Sequence, residues 1–122
     1  LGVTVLTSLD RSDLESTGVD ADPSDQVLRL AALAHESGLD GVICSPLEIE
    51  ALRKQCGPDF VLMVPGIRPV GSAANDQKRA MTPRQAVDLG ATNLVVGRPI
   101  YQAQDPRAAA EAIAREAGVN DL

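Results

Sequence analysis

Two arginines, each placed shortly after an apolar run, are the residues of this chain best suited to chemistry. The run Leu94–Val96 is followed by Gly97 and Arg98, and the run 60–64 is followed by Pro-Gly-Ile and then Arg68. A glycine lets the backbone approach a ligand, and an arginine guanidinium can donate two hydrogen bonds to one phosphate group. The pattern therefore predicts a site for a phosphorylated ligand, while a turn-forming glycine beside a solvated arginine is the simpler alternative for either segment alone.

Strand-like and helix-like segments alternate along the whole chain, which is typical of an α/β fold with a parallel sheet. Apolar β-branched runs predict strands over 3–6, 40–44, 60–64 and 93–96. The first and last of these strands are expected to be fully buried. Pro99 is expected to end the last strand. Helical spacing and capping residues predict helices over 10–16, 23–37, 46–55, 82–89 and 105–117. The sequence thus predicts four parallel βα units in one domain, 1–122.

The carboxyl ends of parallel strands meet at one edge of a sheet, which is where ligands bind in such folds. The predicted strand ends bring together hydroxyls, glycines and both arginines, carried by 7–8, 44–45, 65–68 and 97–98. The segment 65–81 has no sustained periodicity, and a connection of this length inside a compact domain is more often functional or mobile than a mere connection. Together these features favour phosphate binding at the carboxyl edge of the sheet.

Composition excludes several classes of function. The chain has 122 residues, a formal charge of −6 and only two aromatic residues, so a basic nucleic-acid surface is not expected. No apolar stretch approaches the roughly 20 residues that a membrane-spanning helix needs. Cys44 and Cys56 do not have the spacing of metal ligands, and two sparse cysteines in an acidic chain favour a cytoplasmic location.

The chain offers no evident acid–base machinery. No Ser-His-Asp or Cys-His set is recognisable, and the single histidine, His35, falls late in a predicted helix, far from every strand end. No lysine follows a strand. Asp10 and Asp105 are expected to be helix N-caps, and Glu48 is expected on an exposed helix face.

Five motifs, in this order, closely resemble the carboxyl-terminal half of the bacterial orotidine 5′-phosphate decarboxylase family. They are the segment 1–8 (LGVTVLTS), the segment 38–45 (GLDGVICS), the segment 64–69 (VPGIRP), Asp-Gln at 76–77 with Thr-Pro at 82–83, and the segment 96–100 (VGRPI). The resemblance covers essentially the whole chain. It implies the second half of a (β/α)₈ barrel, strands five to eight, in an enzyme that is normally a homodimer and uses neither a metal nor an organic cofactor.

The same resemblance implies roles for six residues. The family removes CO₂ from orotidine 5′-monophosphate to give UMP, in pyrimidine biosynthesis. By resemblance, Thr7 lies near the pyrimidine and ribose and Pro65 lines the pyrimidine pocket. The 5′-phosphate is held by four residues: Arg68, Gln77, Gly97 and Arg98.

The chain departs from the family in one respect. The catalytic Asp-x-Lys-x-x-Asp motif, whose lysine protonates the new carbanion, lies in the first half of the family's barrel and is not found here. The chain alone is therefore expected to be inactive, with the amino-terminal half as a possible partner. Two alternatives stay open: a related sugar-phosphate barrel enzyme such as hexulose-phosphate synthase, and a non-catalytic half-barrel that associates with itself.

Overall fold

The computed structural model describes residues 1–72 and 80–120, which form four parallel βα units. The strands are β1 (Gly2–Val3), β2 (Gly41–Ile43), β3 (Val61–Val64) and β4 (Asn93–Leu94). The helices are α1 (Arg11–Ser16), α2 (Pro23–Glu36), α3 (Ile49–Cys56), α4 (Pro83–Asp88), α5 (Arg98–Tyr101) and α6 (Pro106–Ala117), with a 3₁₀ helix at Pro46–Glu48. The order of strands in the sheet is the order in the sequence, and every pairing is parallel.

Local sequence signals fix most helix boundaries. Asp10 caps α1 in a capping box with Asp13, and the Asp105 side chain accepts from the backbone N–H of Ala108 at the start of α6. Thr82 begins α4 with a second capping box, made with Gln85. These caps satisfy backbone donors that a helix leaves open at its first turn, so the two predicted aspartate N-caps are confirmed.

The core lies between the sheet and the helices on one of its faces. Val42, Leu62 and Val64 point towards the helices and are fully buried. The alternate residues point to the opposite face; they include Val3, Ile43 and Met63, which lie side by side in the strand register and are not buried. The structure thus packs one face of the sheet and leaves the other open along the first strand.

Three expectations for the outer strands were wrong. The first strand is Gly2–Val3 rather than 3–6, and Val3 is 63% exposed. The last strand ends at Leu94, and its residues are not buried. Both strands lie at a sheet edge with one neighbour, so neither is enclosed as a central strand would be. Pro99 does not end a strand; it lies in the first turn of α5, where a proline is well tolerated.

Candidate functional site

The carboxyl ends of β3 and β4 enclose a cleft of about 190 Å³. Four of the six residues predicted to bind the substrate line this cleft: Pro65, Arg68, Gly97 and Arg98. Gly66, Val95 and Tyr101 complete the lining. Two arginines therefore line one small cleft, as the parallel strand order predicts for residues that follow neighbouring strands.

Arg68 is held firmly within the fold rather than extended into solvent. It is 8% exposed, and its Nη1 donates a hydrogen bond of 2.7 Å to the carbonyl oxygen of Ile67. The Arg68 backbone N–H donates to the Met81 carbonyl at 2.9 Å, and the Met81 N–H donates to the Gly66 carbonyl at 3.3 Å. These two bonds form a parallel bridge between Ile67 and Met81. Arg68 is thus a preorganised cation, and the solvated alternative considered for it is wrong.

Arg98 lines the cleft at the first residue of α5. Gly97 precedes this helix, and its carbonyl accepts from the backbone N–H groups of Ile100 and Tyr101 at 2.9 and 3.1 Å. A Cβ built on Gly97 would lie 3.5 Å from the Tyr101 ring, which is ordinary contact. The glycine is therefore not needed to avoid a clash with Tyr101.

Of the two other predicted site residues, Thr7 lies within the described part of the chain and Gln77 does not. Thr7 is buried on the carboxyl side of β1, but it does not line the cleft beside Arg98. It lies two strands away from β3, across β2. Gln77 lies outside the described residues, so its predicted phosphate contact stays a prediction.

The sequence did not predict a cluster of polar side chains at the same carboxyl edge of the sheet, formed by Glu48, Ser45 and Ser24. Glu48 is not on an exposed face, as expected, but is 1% exposed. The Ser45 hydroxyl donates to Glu48 Oε2, and the Ser24 hydroxyl donates to Oε1 at 3.5 Å. The helical pattern placed Glu48 beside solvent because it treated 46–55 as one regular helix, whereas 46–48 form a 3₁₀ turn that directs this side chain inward. The only available signal was the Ser-x-x-Glu spacing after a strand.

Among the residues that the structure describes, the remaining titratable groups do not form a metal centre. Within 1–72 and 80–120, no group of three or more His, Cys, Asp or Glu side chains is arranged to hold a metal ion. His35 is exposed and its ring contacts Phe60, with ring centroids 4.9 Å apart, so it is a surface residue with one aromatic contact. None of the helices in the described part of the chain has the length and hydropathy needed to cross a bilayer.

Comparison with known proteins connects this chain to one family. A sequence model of the "Orotidine 5'-phosphate decarboxylase / HUMPS family" matches residues 1–113. The orotidine 5′-phosphate decarboxylase of Glaesserella parasuis serovar 5 is 56% identical over 113 residues, covering 93% of this chain and 49% of the relative. The corresponding enzyme of Pseudomonas savastanoi pv. phaseolicola is 58% identical over 116 residues, covering 95% and 50%.

Solved structures agree with the sequence matches. The crystal structure of orotidine 5′-phosphate decarboxylase from Lactobacillus acidophilus superposes with a TM-score of 0.78 at 44% identity, covering 95% of this chain and 47% of that one. The chain spans about half the length of the curated relatives it matches. Its four βα units correspond to half of the relatives' (β/α)₈ barrel, so the predicted fold class is confirmed. The chain belongs to the orotidine 5′-phosphate decarboxylase / HUMPS family.

Proposed function

We propose that this chain is the phosphate- and nucleotide-binding half of an orotidine 5′-phosphate decarboxylase, which converts orotidine 5′-monophosphate to UMP and CO₂. The observation that carries the proposal is the pair of arginines, Arg68 and Arg98, on one cleft of about 190 Å³. Charge-assisted hydrogen bonds from arginine to phosphate are roughly twice as strong as neutral ones, and two such donors together favour a dianionic group.

Each predicted residue has a role in this proposal. Arg68 and Arg98 donate to the phosphate oxygens, and Gly97 leaves backbone close to the anion. Pro65, on the same cleft, faces the pyrimidine. Thr7, two strands away, contacts the ribose or pyrimidine end, and Gln77 completes the phosphate site. Binding energy from the phosphate, which does not react, is available to order the site around the reacting pyrimidine.

The chemical step is assigned to residues outside this chain. In the family resemblance a lysine within an Asp-x-Lys-x-x-Asp motif protonates the carbon that loses CO₂, and no such motif occurs among these 122 residues. The chain therefore binds and orients the nucleotide, and the proton donor comes from the part of the barrel that the relatives carry and this sequence does not. No metal or organic cofactor enters the proposal.

The relatives favour this activity over the sugar-phosphate alternative. The curated relatives from Glaesserella and Pseudomonas, at 56% and 58% identity, are both named orotidine 5′-phosphate decarboxylase. A hexulose-phosphate synthase would share the phosphate cleft but not need a pyrimidine pocket. We further propose that the complete enzyme is a cytoplasmic homodimer, with orotidine 5′-monophosphate and UMP as its ligands and no nucleic-acid or membrane partner.

Reconstitution tests the proposed activity. The chain is mixed with the separately expressed amino-terminal half of the Pseudomonas relative, and conversion of orotidine 5′-monophosphate is followed by the loss of its absorbance. Conversion by the mixture, with none from either half alone, supports the proposal. Conversion of a hexulose phosphate instead, or turnover by this chain alone at the rate of the intact relative, would refute it.

A further inference from the structure

A buried carboxylate lies at the carboxyl end of β2, at the edge of the sheet that carries the cleft. Glu48 is 1% exposed, and Ser45, which begins the 3₁₀ helix, is completely buried. Removing a carboxylate from water is costly unless hydrogen bonds compensate for the lost hydration. A retained buried carboxylate at this edge therefore calls for an explanation beyond packing.

The hydrogen bonds of Glu48 connect two elements. The Ser45 hydroxyl donates to Oε2, three residues back along the same segment. The Ser24 hydroxyl, from the first turn of α2, donates to Oε1 at 3.5 Å. The N-cap of α2, Asp22, makes no side-chain capping bond, so the Glu48 carboxylate supplies negative charge near the positive end of this helix. Glu48 thus ties the end of β2 to α2.

The arrangement differs from the one that the sequence spacing predicts. A Ser-x-x-Glu segment at a helix start normally forms a capping box, in which the serine oxygen accepts from the glutamate N–H. Here the Glu48 N–H donates to the Ser45 backbone carbonyl at 3.2 Å, and the Ser45 hydroxyl donates to the carboxylate. The hydroxyl orientation of Ser45 is therefore set by Glu48.

Ser45 lies in the same layer of the sheet as residues of the cleft. Ile43 pairs with Met63, and Met63 pairs with Asn93. Two residues further along the chain from each of these are Ser45, Pro65 and Val95, just beyond the carboxyl ends of the strands, and the latter two line the cleft. Because β2 lies between β1 and β3, the segment that Glu48 holds also lies between Thr7 and Pro65.

We propose that Glu48 is a positioning residue that fixes the end of β2, through Ser45 and Ser24, as the floor for the pyrimidine of the bound nucleotide. This inference rests on the proposed function, which places the pyrimidine between Thr7 and Pro65. The phosphate-binding residues Arg68 and Arg98 follow β3 and β4, so the effect of Glu48 on the phosphate itself is small.

The test separates the two ends of the ligand. UMP, ribose 5-phosphate and inorganic phosphate are titrated into the ¹⁵N-labelled chain, and dissociation constants are taken from amide shifts. Glu48→Gln keeps the size of the side chain but replaces one acceptor oxygen by a donor that faces a hydroxyl. We expect it to weaken UMP binding roughly tenfold and to change ribose 5-phosphate binding less than about twofold. Glu50→Gln, an exposed change two residues away, is the matched control and is expected to change neither.

The outcomes distinguish this inference from the proposed function. Equal weakening of UMP and ribose 5-phosphate by Glu48→Gln, or no weakening of either, would overturn the role of Glu48. Failure of all three ligands to bind the unsubstituted chain would overturn the phosphate site itself. If Glu48→Gln does not fold, Ser24→Ala removes one exposed hydroxyl from the network. It is then expected to lower UMP affinity selectively by a smaller factor, and an unchanged affinity contradicts the inference.

Discussion

Replacing Arg53 by methionine is predicted to destabilise the chain strongly. Arg53 lies in the last turn of α3, and its guanidinium reaches four acceptors at the end of the sheet opposite the cleft. Nε donates to the Gly90 carbonyl at 2.8 Å, and Nη2 donates to the Thr92 hydroxyl at 2.7 Å. Nη1 donates to the carbonyls of Gly57, at 3.1 Å, and Phe60. One side chain thus joins the segments that enter β3 and β4.

The magnitude follows from these bonds. A hydrogen bond to a charged group contributes about 1.5–3 kcal/mol to the free energy of unfolding. Adding four such values would overestimate the loss from a single substitution. Water reaches this half-buried site and can form hydrogen bonds with the acceptors that methionine leaves without a partner. We therefore expect a loss of about 3 kcal/mol in the free energy of unfolding. For a domain of this size the melting temperature then falls by roughly 10 °C.

Urea unfolding followed by circular dichroism measures this loss. Arg107→Met is the matched control, because the Arg107 side chain is 90% exposed and contacts only Glu111 at helical spacing among the ion pairs described. Its expected cost is below about 0.5 kcal/mol. Arg53→Lys keeps the charge, but its single amino nitrogen cannot reach all four acceptors. It is therefore expected to recover less than half of the stability that Arg53→Met loses. The reasoning is refuted if Arg53→Met costs no more than Arg107→Met.

Three further substitutions test other parts of the structure. Gly41→Ala places a Cβ against the carbonyl oxygen and Cβ of Val61 and pushes β2 away from β3. The free energy of unfolding, measured in urea, is expected to fall by about 3 kcal/mol. A fall of less than about 1 kcal/mol contradicts this close approach. Thr82→Ala removes the capping box of α4. It is expected to lower the free energy of unfolding by about 1 kcal/mol and to speed amide hydrogen exchange in that helix. Unchanged exchange argues against the cap. Arg98→Ala is expected to weaken UMP binding by about 1.5–3 kcal/mol in an NMR titration while leaving uridine binding unchanged, and equal UMP affinity would remove Arg98 from the site.

Much of the fold could be predicted because its signals are local. Capping residues such as Asp10 and Asp105 depend on neighbours in sequence, and the structure has these caps as predicted. The apolar run 60–64 predicts a strand, and the structure has that strand over Val61–Val64. The grouping of Arg68 with Arg98 followed from one topological rule, that parallel strands end at the same edge. No long-range contact had to be known for either inference.

The remaining features depend on contacts that the sequence pattern does not encode. Arg53 reaches Gly90 and Thr92, 37 and 39 residues away, and its acceptors are mainly backbone carbonyls, which every residue carries. Glu48 is buried because a 3₁₀ turn redirects it, a change of backbone that helical periodicity cannot anticipate. The exposure of Val3 follows from its place at a sheet edge, which composition alone does not reveal.

The measurement that tests the central claim most directly compares UMP with uridine, two ligands that differ only in the phosphate. Both are titrated into the ¹⁵N-labelled chain, and the amide shifts are mapped onto the structure. If Arg68 and Arg98 hold the phosphate, UMP binds at least roughly tenfold more tightly than uridine, and the largest shifts fall at Gly66, Gly97 and Arg98. Equal affinity for the two ligands, or shifts confined to the opposite end of the sheet around His35 and Phe60, would contradict the account.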